Sequence, residues 1–338
     1  MRCIIPAAGR GTRLRPLTHT KPKALLSLGN KPIISHILDS VVEAKIIDII
    51  IIVGYEKNQI IDYVTSNYGN SNNLTFIEQK ERKGLGHAIF LAEDYLDGES
   101  VLIALGDSLY ENSFSQMLDE FNKYQNWDGA ITIKSVSNPQ AYGIVTTYKN
   151  SNQIKNLEEK PKNPTSSKAI TGVYIIRDSV SLKESLEELV TKNQIGTGGE
   201  IQLTDALQIM VQKGRVLGTI ESGRWFDCGR KEALLDAHKY VLSKMSKSEI
   251  ASDFDNSIMI FPVAIQPDCE ISHSIIGPYV SIDRGTKIER SIISSSIIGT
   301  KSYVKNASIN GSLVGDRVEL VGGLSDLDIG DHSRIKYP

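Results

Sequence analysis

The sequence predicts a doubly wound α/β sheet that is mostly parallel, followed by a short parallel β-helix. Two observations carry this prediction. Strand-like and helix-like segments alternate over about the first 240 residues, and aliphatic residues recur at six-residue steps after about residue 250. Such alternation is typical of a parallel sheet with helices on both faces, and a six-residue repeat is typical of a β-helix. At roughly 150 residues per domain, a chain of 338 residues accommodates both regions.

The α/β region begins with a predicted strand over residues 2–7 and a predicted helix over 31–44, where apolar residues recur at helical spacing. The isoleucine-rich run from Asp48 to Val53 is too short for a helix and is typical of a parallel strand covered on both faces. The alternation continues with helices over 58–68 and 86–95 and strands over 74–78, 101–105, 130–136, 142–147, 169–176 and 215–220.

An internal repeat marks the C-terminal region. The sequence Ser-Ile-Ile-Gly at 274–277 recurs at 296–299 and, as Ser-Leu-Val-Gly, at 312–315. Aliphatic residues also recur six positions apart, as from Ile276 to Ile282. A β-sandwich with regular short strands is the alternative, but alternation alone would not impose a six-residue step. We therefore predict an α/β domain over 1–240, a linker over 241–252 and a β-helix domain over 253–338.

Composition and charge exclude several classes of partner. The net charge of −2 gives no general attraction to nucleic acid or to an anionic membrane. The longest apolar run, residues 46–53, is too short to cross a bilayer, and residues 3–8 do not form the core of a signal peptide. The three cysteines are widely separated and form no metal-ligand or redox pair. We therefore expect a cytoplasmic protein with no nucleic-acid and no membrane partner.

Basic residues are concentrated at the N-terminus, where the first acidic residue is Asp39. Such a cluster can be a solvated basic face or an arm that binds nucleic acid. Here apolar segments separate the basic residues, so a pocket for a polyanionic small molecule is a further possibility. The basic residues before Asp39 are Arg2, Arg10, Arg13, Arg15, Lys21, Lys23 and Lys31.

A glycine-containing loop with basic residues directly follows the first predicted strand. In an open α/β sheet this is the edge where ligands bind. Small residues allow the backbone to approach a phosphate and donate amides to it. Leu14 stands where a dinucleotide-binding fingerprint needs a third glycine, and the loop lacks the Gly-Lys-Ser/Thr of a P-loop. The candidate nucleotide-binding residues of the loop are Ala7, Ala8, Gly9, Gly11 and Thr12, with Arg13 and Lys23 as the cations.

Residues 9–18 and 21–23 resemble the motif of the hexose-1-phosphate nucleotidylyltransferases, Gly-x-Gly-Thr-Arg-x-x-Pro-x-Thr with a downstream Lys-Pro-Lys. The chain looks most like the glucose-1-phosphate thymidylyltransferases and the UTP–glucose-1-phosphate uridylyltransferases. The resemblance implies a Rossmann-like sheet of the nucleotide-diphospho-sugar transferase type and a left-handed β-helix. It also implies that Arg13 holds the β- and γ-phosphates and that Lys23 lies at the transferring α-phosphate.

The resemblance extends to a base-reading segment and to two acidic residues. Gln79 and Gly84 would read a pyrimidine base, although spacing alone favours a plain strand-to-helix turn at 83–87. Asp107 ends a buried strand and would bind Mg²⁺ together with Asp227, besides lying in the nucleotide site. Mg²⁺ prefers oxygen ligands, so carboxylates suit it. A Gly-Asp turn without a metal is the alternative at Asp107.

Further segments resemble the sugar-phosphate site of the family. The residues implicated are Tyr142, Gly143, Glu158, Glu159, Lys160, Thr171 and Gly172, with Lys160 as a catalytic residue that holds the sugar phosphate. Composition alone would favour a solvated turn or helix end at 158–161. The segment 199–205 matches a family segment near the hexose, but its residues are equally suited to helix capping.

These features predict an enzyme that transfers a nucleoside monophosphate from UTP or dTTP to a hexose 1-phosphate, releasing pyrophosphate with Mg²⁺ as cofactor. Glucose 1-phosphate is the expected acceptor. The β-helix is expected to mediate assembly of a homo-oligomer or regulation. Three alternatives are a regulatory homologue without catalysis, a bifunctional enzyme whose β-helix transfers an acetyl group, and an NAD-dependent enzyme. The first is disfavoured because Arg13, Lys23, Asp107, Lys160 and Asp227 are all present.

Overall fold

The computed structural model describes residues 1–70, 72–192, 195–245, 254–322, 324–325 and 327–336. The chain forms two compact units that alternate along the sequence. The first unit consists of residues 1–9 and 37–225, and the second of residues 10–36 and 226–338. The predicted domains instead follow one another along the chain, and their boundaries stay a prediction. The predicted linker over 241–252 lies largely outside the described residues, apart from its first residues in the last helix.

The strands that precede the C-terminal region are β1 (Arg2–Pro6), β2 (Ser27–Leu28), β3 (Lys31–Pro32), β4 (Asp48–Val53), β5 (Asn73–Glu78), β6 (Val101–Ala104), β7 (Ser108–Tyr110), β8 (Gly129–Ser135), β9 (Gly143–Thr147), β10 (Ile154–Glu159), β11 (Lys168–Ile176), β12 (Leu217–Glu221) and β13 (Trp225–Asp227). The helices are α1 (Ile33–Glu43), α2 (Lys57–Tyr68), α3 (Leu85–Phe90), α4 (Phe114–Asn122), α5 (Ser179–Thr191), α6 (Leu203–Gln212) and α7 (Lys231–Lys244).

The first unit is built on a sheet of nine strands. Its order is β10-β9-β11-β6-β1-β4-β5, with β8 beside β11 and β12 beside β8. The strands β1, β4, β5 and β6 are parallel, and Ile4 is in register with both Ile50 and Ile103. The strands β10 and β11 run in the opposite direction, so the sheet is mixed. The short connection from β9 to β10 explains part of this, since parallel neighbours need a longer crossover.

Both faces of this sheet are covered, as the sequence predicted. Ile4, Ile50 and Ile103 are almost fully buried in one cluster with residues of α3, α5 and α6. The alternate residues Ile5 and Ile51 point to the opposite face and are equally buried. Burial on both faces accounts for the continuous isoleucine run of β4.

Several predicted boundaries differ from the structure. The helix predicted over 31–44 begins only at Ile33, because Lys31 and Pro32 form a short strand with Ser27 and Leu28. The helix predicted over 86–95 ends at Phe90 and is followed by a 3-10 turn over Glu93–Tyr95. The strand β10 was not predicted, because its buried residues Ile154 and Leu157 are three positions apart, across a break in the pairing register, and so show no alternation.

The second unit contains the C-terminal β-helix, in which each coil contributes one short strand to each of three parallel sheets. Its strands are β14 (Ile258–Met259), β15 (Val263–Ile265), β16 (Glu270–Ser272), β17 (Ile275–Ile276), β18 (Val280–Ile282), β19 (Lys287–Glu289), β20 (Ile292–Ser294), β21 (Ile297–Ile298), β22 (Tyr303–Lys305), β23 (Ser308–Asn310), β24 (Leu313–Val314), β25 (Glu319–Val321), β26 (Leu324–Ser325), β27 (Asp328–Ile329) and β28 (Arg334–Lys336). These strand stacks confirm the β-helix.

The six-residue step moves the chain to the next side of the coil. Residues that stack on one another are a whole coil apart, as Ile282 is on Ile298 and Ile288 is on Val304. The serine of the repeat joins successive coils, since the Ser296 hydroxyl accepts a hydrogen bond from the Ser312 amide at 3.0 Å. A buried hydroxyl needs such a partner. Across the described residues, no helix is both long and apolar enough to span a membrane.

Candidate active site

The loop that follows β1 starts at the carboxyl edge of the first unit's sheet. Because β1 and β6 are parallel neighbours, the residues that follow them emerge at the same edge. The Gly106 amide donates a hydrogen bond to the Pro6 carbonyl at 3.1 Å, directly before Asp107. The Ala7 amide donates to the Ile52 carbonyl at 2.8 Å. Two of the predicted nucleotide-binding positions, Ala7 and Asp107, therefore follow adjacent strands.

The small residues after β1 are required by close backbone neighbours. Ala8 is 6% exposed. A Cβ added at Gly54 would lie 2.9 Å from the Ala8 Cβ, so both positions must remain small. A Cβ added at Gly9 would meet no atom within 4 Å, which leaves its backbone open to a ligand. Gly54 was not selected in the sequence analysis, although a glycine directly after a buried parallel strand is the signal that could have found it.

The predicted base-reading residues form a hydrogen-bonded group. The Gln79 amide nitrogen donates to the Gly84 carbonyl at 3.1 Å and lies 3.2 Å from the Nδ1 atom of His87. Gln79 is 7% exposed. Burial lowers the pKa of His87, and the nearby Lys83 lowers it further, which favours the neutral imidazole. His87 therefore contacts a predicted site residue.

Residues 200–202 hold this segment in position. Gly84 has a φ of 101°, and a Cβ there would lie 2.5 Å from the Ile201 carbonyl oxygen. The Gly86 amide donates to the same carbonyl at 2.9 Å, and the Ile201 amide donates to the Lys83 carbonyl at 2.7 Å. The segment 199–205, whose role was uncertain from sequence, thus supports the turn that carries Gly84.

The predicted sugar-side residues are centred on Glu159, at the end of β10. Its Oε2 atom accepts a hydrogen bond from the Thr204 hydroxyl at 2.7 Å, and its Oε1 atom lies 3.4 Å from the Lys160 ammonium. A Cβ added at Gly143 would lie 2.9 Å from Oε2, so glycine leaves the space for this carboxylate. Glu158 is exposed, and strand alternation directs it to the opposite face.

Tyr142 completes this group. The Lys160 amide donates to the Tyr142 carbonyl at 3.0 Å, and Lys160 adopts a φ of 45° that carries the chain out of the strand. The Tyr142 ring packs edge-on against Trp225, with 5.2 Å between ring centres. Burial raises the pKa of Asp205, and the charge of Glu159 raises it further. We name Tyr142, Gly143, Glu159, Lys160 and Thr204 the sugar-side cluster.

A bulge in β11 brings two more predicted residues to the edge where β6 ends. The pairing of β11 with β8 is interrupted between Ile170 and Tyr174. Gly172 has a φ of 99°, and its carbonyl accepts a hydrogen bond from the Leu105 amide at 3.1 Å. Thr171 is fully buried, and its carbonyl accepts from the Tyr110 hydroxyl at 3.1 Å. These bonds fix the backbone of Thr171 and Gly172 beside the end of β6.

The predicted phosphate loop continues into the second unit, where it closes on itself. Gly11 has a φ of 61°, and its carbonyl accepts hydrogen bonds from the Leu14 amide and the Thr18 hydroxyl, both at 2.8 Å. A Cβ at Gly11 would lie 2.9 Å from the Lys23 Cβ. The glycine and the threonine of the motif are therefore needed to shape the loop around Thr12.

The cations of this loop converge with Asp227 around Gly229. The Lys23 ammonium lies 3.7 Å from the Asp227 carboxylate, and the Lys23 side chain is only 7% exposed. A Cβ added at Gly229 would lie 2.8 Å from the Arg13 Nη2 atom and 2.9 Å from the Asp227 Oδ1 atom. Gly229 thus leaves the space in which both side chains meet. We name Arg13, Lys23, Asp227 and Gly229 the phosphate-side cluster.

The donor chemistry of the two predicted metal ligands suits Mg²⁺. Asp107 is half-buried after β6, and the Asp227 side chain is 31% exposed. Proteins commonly bind Mg²⁺ through one or two carboxylates, while water and substrate phosphates complete the coordination. Among the residues that the structure describes, no three histidine, cysteine or acidic residues are grouped as metal ligands. Either aspartate could supply a carboxylate ligand to a magnesium ion, with water and substrate phosphates as the other ligands.

Comparison with known proteins identifies the family of the chain. A family model described as nucleotidyl transferase matches residues 2–244. The chain is 36% identical over 260 residues to the bifunctional protein GlmU of Methanocaldococcus jannaschii, which covers 77% of this chain. It is 29% identical to a glucose-1-phosphate thymidylyltransferase of Streptomyces griseus, with 99% of both chains covered. The match to GlmU spans only 59% of that protein's length.

A solved structure supports the fold. The structure of a UDP-glucose pyrophosphorylase in complex with UDP-glucose is 29% identical to this chain, with a TM-score of 0.64. The match covers 72% of this chain and 99% of that protein.

Proposed function

The chain belongs to the nucleotidyl transferase family, and on that basis we propose that it transfers a nucleoside monophosphate from UTP or dTTP to a hexose 1-phosphate. The products would be a nucleoside diphosphate sugar and pyrophosphate. The observation that carries the proposal is the phosphate-side cluster, in which buried Lys23, partly exposed Asp227 and exposed Arg13 lie around Gly229. Such a cluster suits a polyanionic triphosphate, since preorganised cations in a partly desolvated site stabilise developing charge.

Each charged residue has a separate task in the proposed reaction. The ionised sugar phosphate attacks the α-phosphorus in line, while Lys160 holds the attacking group. Lys23 contacts the α-phosphoryl group, and Arg13 binds the departing pyrophosphate. The attacking phosphate is already ionised, so no general base is needed. Mg²⁺, held by Asp107 and Asp227, would neutralise charge on the phosphates when bound.

The hydrogen bonds of Gln79 favour a uracil or thymine base. Its amide nitrogen is engaged with the Gly84 carbonyl and His87, which leaves its carbonyl oxygen as an acceptor. Uracil and thymine carry an N–H group at position 3 that can donate to this oxygen, whereas cytosine has an acceptor there. The relatives include a thymidylyltransferase and a UDP-glucose pyrophosphorylase, so both UTP and dTTP stay candidates.

The sugar-side cluster is suited to bind a hexose. Glu159 offers carboxylate oxygens held by Thr204, and these can accept hydrogen bonds from sugar hydroxyls. Lys160 is 47% exposed and can approach the sugar phosphate. Glucose 1-phosphate is the proposed acceptor because the names of two similar proteins specify glucose.

We also propose that the β-helix associates with further copies of the chain. One of its faces carries a row of isoleucines in register, Ile258, Ile275 and Ile292. Ile258 is 60% exposed and Ile292 is 52% exposed. Exposed aliphatic rows of this kind are typical of association surfaces.

A cytoplasmic location stays a prediction, supported by three cysteines that form no disulfide.

Release of pyrophosphate tests the proposed reaction. The enzyme would be incubated with Mg²⁺, glucose 1-phosphate and each of UTP, dTTP, GTP, ATP and CTP in turn. We expect release that requires both substrates, with UTP or dTTP preferred over CTP. Repeating the panel with galactose, glucosamine and mannose 1-phosphates would identify another acceptor. No release with any pair would contradict the proposal and favour a regulatory homologue.

A further inference from the structure

Three aspartates of the β-helix hold the segment that carries the phosphate loop. The Lys21 ammonium lies 2.5 Å from the Asp316 carboxylate, with both side chains about one-fifth exposed. The Ser27 hydroxyl donates to Asp283 at 2.5 Å, and the Thr20 hydroxyl donates to Asp331. Lys21 precedes Lys23 by two residues, so its position constrains that of the catalytic lysine.

In two of these aspartates, one carboxylate oxygen accepts a hydrogen bond from the β-helix and the other contacts the loop. The Oδ1 atom of Asp316 accepts from the Thr300 amide at 2.9 Å, while its Oδ2 atom faces Lys21. Asp331 repeats the arrangement one coil later, with Oδ1 accepting from the Asp316 amide at 2.6 Å and Oδ2 accepting from Thr20. Each carboxylate therefore joins a structural hydrogen bond to a bond with the loop.

Three glycines that stack on successive coils allow the loop to pack closely against the β-helix. Asp283 is followed on successive coils by Gly299, Gly315 and Gly330. The amides of Asp283, Gly299 and Gly315 donate to the carbonyls of Ile298, Val314 and Ile329, which directly precede these glycines. A Cβ added at Gly330 would lie 3.0 Å from Pro16 of the loop. Beside this column lies a cavity of about 30 Å³, which both the loop and the β-helix line. The lining apolar residues include Leu17, Leu26, Leu234, Ile297, Leu313 and Val314.

We propose that Asp316 and Asp331 are positioning residues for the triphosphate, acting from the β-helix through Lys21 and Thr20 on the phosphate loop. This inference rests on the proposed function. The β-helix thereby takes part in nucleotide binding without contacting the nucleotide. The β-helix therefore strengthens the affinity for the nucleoside triphosphate. It leaves the affinity for the sugar phosphate unchanged, because no residue of the sugar-side cluster takes part in these contacts.

Asparagine substitutions test this proposal with little disturbance of the coil. In Asp316→Asn the side-chain oxygen can still accept from the Thr300 amide, while the charge that faces Lys21 is lost. We expect the KM for the triphosphate to rise roughly threefold to tenfold, the range of a partly buried ion pair. Asp331→Asn should act in the same direction. Asp268→Asn is the matched control, since Asp268 lies on the β-helix and is highly exposed.

The variant Lys21→Met distinguishes positioning from direct contact with phosphate. If Lys21 acts with Asp316 as one unit, then Lys21→Met, Asp316→Asn and the double variant lose triphosphate affinity to the same extent. A Lys21→Met loss with no effect of Asp316→Asn would overturn the proposal, because Lys21 would then act without Asp316.

A readout that does not depend on activity separates this proposal from the proposed reaction. Amide hydrogen exchange of residues 10–26 should become faster in Asp316→Asn, while the melting temperature stays near that of Asp268→Asn. If the native enzyme is inactive with every substrate pair, the proposed function fails while this measurement still tests the anchoring. Exchange and triphosphate KM that both match the Asp268→Asn control would refute the positioning role.

Discussion

The phosphate-side and sugar-side clusters are constructed in different ways. The sugar-side cluster lies within one sheet and its adjacent helix, where the register of β9 with β10 places Gly143 opposite Glu159. The phosphate-side cluster joins the loop at residues 10–23 to Asp227 and Gly229, about 200 residues later in the chain. Strand pairing therefore places Gly143 and Glu159 of the first cluster, to which α6 adds Thr204, whereas the whole of the second cluster depends on long-range packing.

The two lysines that we propose to be catalytic show the same difference. The Lys23 side chain is 7% exposed and lies 3.7 Å from Asp227, whereas Lys160 is 47% exposed and lies 3.4 Å from Glu159. Electrostatic interactions strengthen as water is excluded, so the buried lysine interacts more strongly with a phosphate at equal distance. We therefore expect substitutions in the phosphate-side cluster to lower activity more than substitutions in the sugar-side cluster.

The largest effect is expected from removing the Lys23 charge. Lys23→Met should lower kcat/KM by roughly 10³-fold, typical of losing a buried group that stabilises the transition state. Lys160→Met should lower it less, since water screens the exposed ammonium. Steady-state kinetics of both variants provide the measurement, with Lys149→Met as the exposed control. Equal losses for Lys23 and Lys160 would contradict the contrast between the clusters.

A methyl group at Gly229 should have the next largest effect. Gly229→Ala places a carbon within 3 Å of both Arg13 and Asp227, so at least one of them must move. A misplacement of about 1 Å can cost roughly 10²-fold in rate. The melting temperature should change little, because the end of the Arg13 side chain is flexible. A large fall in stability together with activity would indicate a packing role for Gly229 instead.

Neutral substitutions on neighbouring strand positions compare the two candidate acids of the sugar side. Glu159→Gln should raise the KM for the sugar phosphate about tenfold, since a charged acceptor held by Thr204 is lost. The exposed Glu158 faces the opposite side of β10, so Glu158→Gln should have a much smaller effect. The KM for the triphosphate is the internal control. A larger effect of Glu158→Gln would mean that Glu158, and not Glu159, faces the sugar phosphate, contrary to what strand alternation indicates.

The last prediction concerns the pH dependence of stability and not activity. Burial, and secondarily the charge of Asp316, raise the pKa of Asp283 to about 6, against the lowering effects of Ser27 and Lys21. Because this folded pKa lies above the unfolded value of about 3.9, the group favours folding below pH ~4 and loses that contribution as pH rises to ~6. Asp283→Asn should therefore raise the free energy of unfolding near neutral pH by roughly 1–3 kcal/mol.

Urea unfolding at pH 4.5 and pH 7.5 checks this expectation. The gain from Asp283→Asn should be larger at pH 7.5, and Asp268→Asn should show no such trend because its side chain is exposed. If the free energy of unfolding rises equally at both pH values, ionisation of Asp283 does not cause the increase.

The fold was largely predictable because it rests on periodic patterns. The run of isoleucines over Asp48–Val53 became β4 with its predicted bounds, and the six-residue step became a β-helix. The strand β10 was not predicted because a break in its pairing register puts the buried residues Ile154 and Leu157 three positions apart, which removes the alternation. The direction of β11 was equally hidden, since pairing direction depends on connections and not on the composition of one strand.

The candidate site was predictable where residues belong to a contiguous motif. Gly11 and Thr18 shape the loop through local hydrogen bonds, so residues within the motif determine the conformation of the loop. Gly229 was not selected, because it acts by leaving space for Arg13, a residue distant in sequence, and the segment 199–205 gave no sign that Thr204 donates a hydrogen bond to Glu159. No local pattern reports such a relationship.

By itself the sequence determined the alternating α/β order, the coil repeat and the basic glycine loop, because these depend on periodicity and on conformations that only certain residues adopt. Only the tertiary structure decided that Lys23 meets Asp227, that Glu159 and not Glu158 joins Thr204, and that the β-helix holds Lys21 through Asp316. Those pairings depend on how distant segments pack. Packing is set by the sum of many contacts, which the residues on either side of one position do not record.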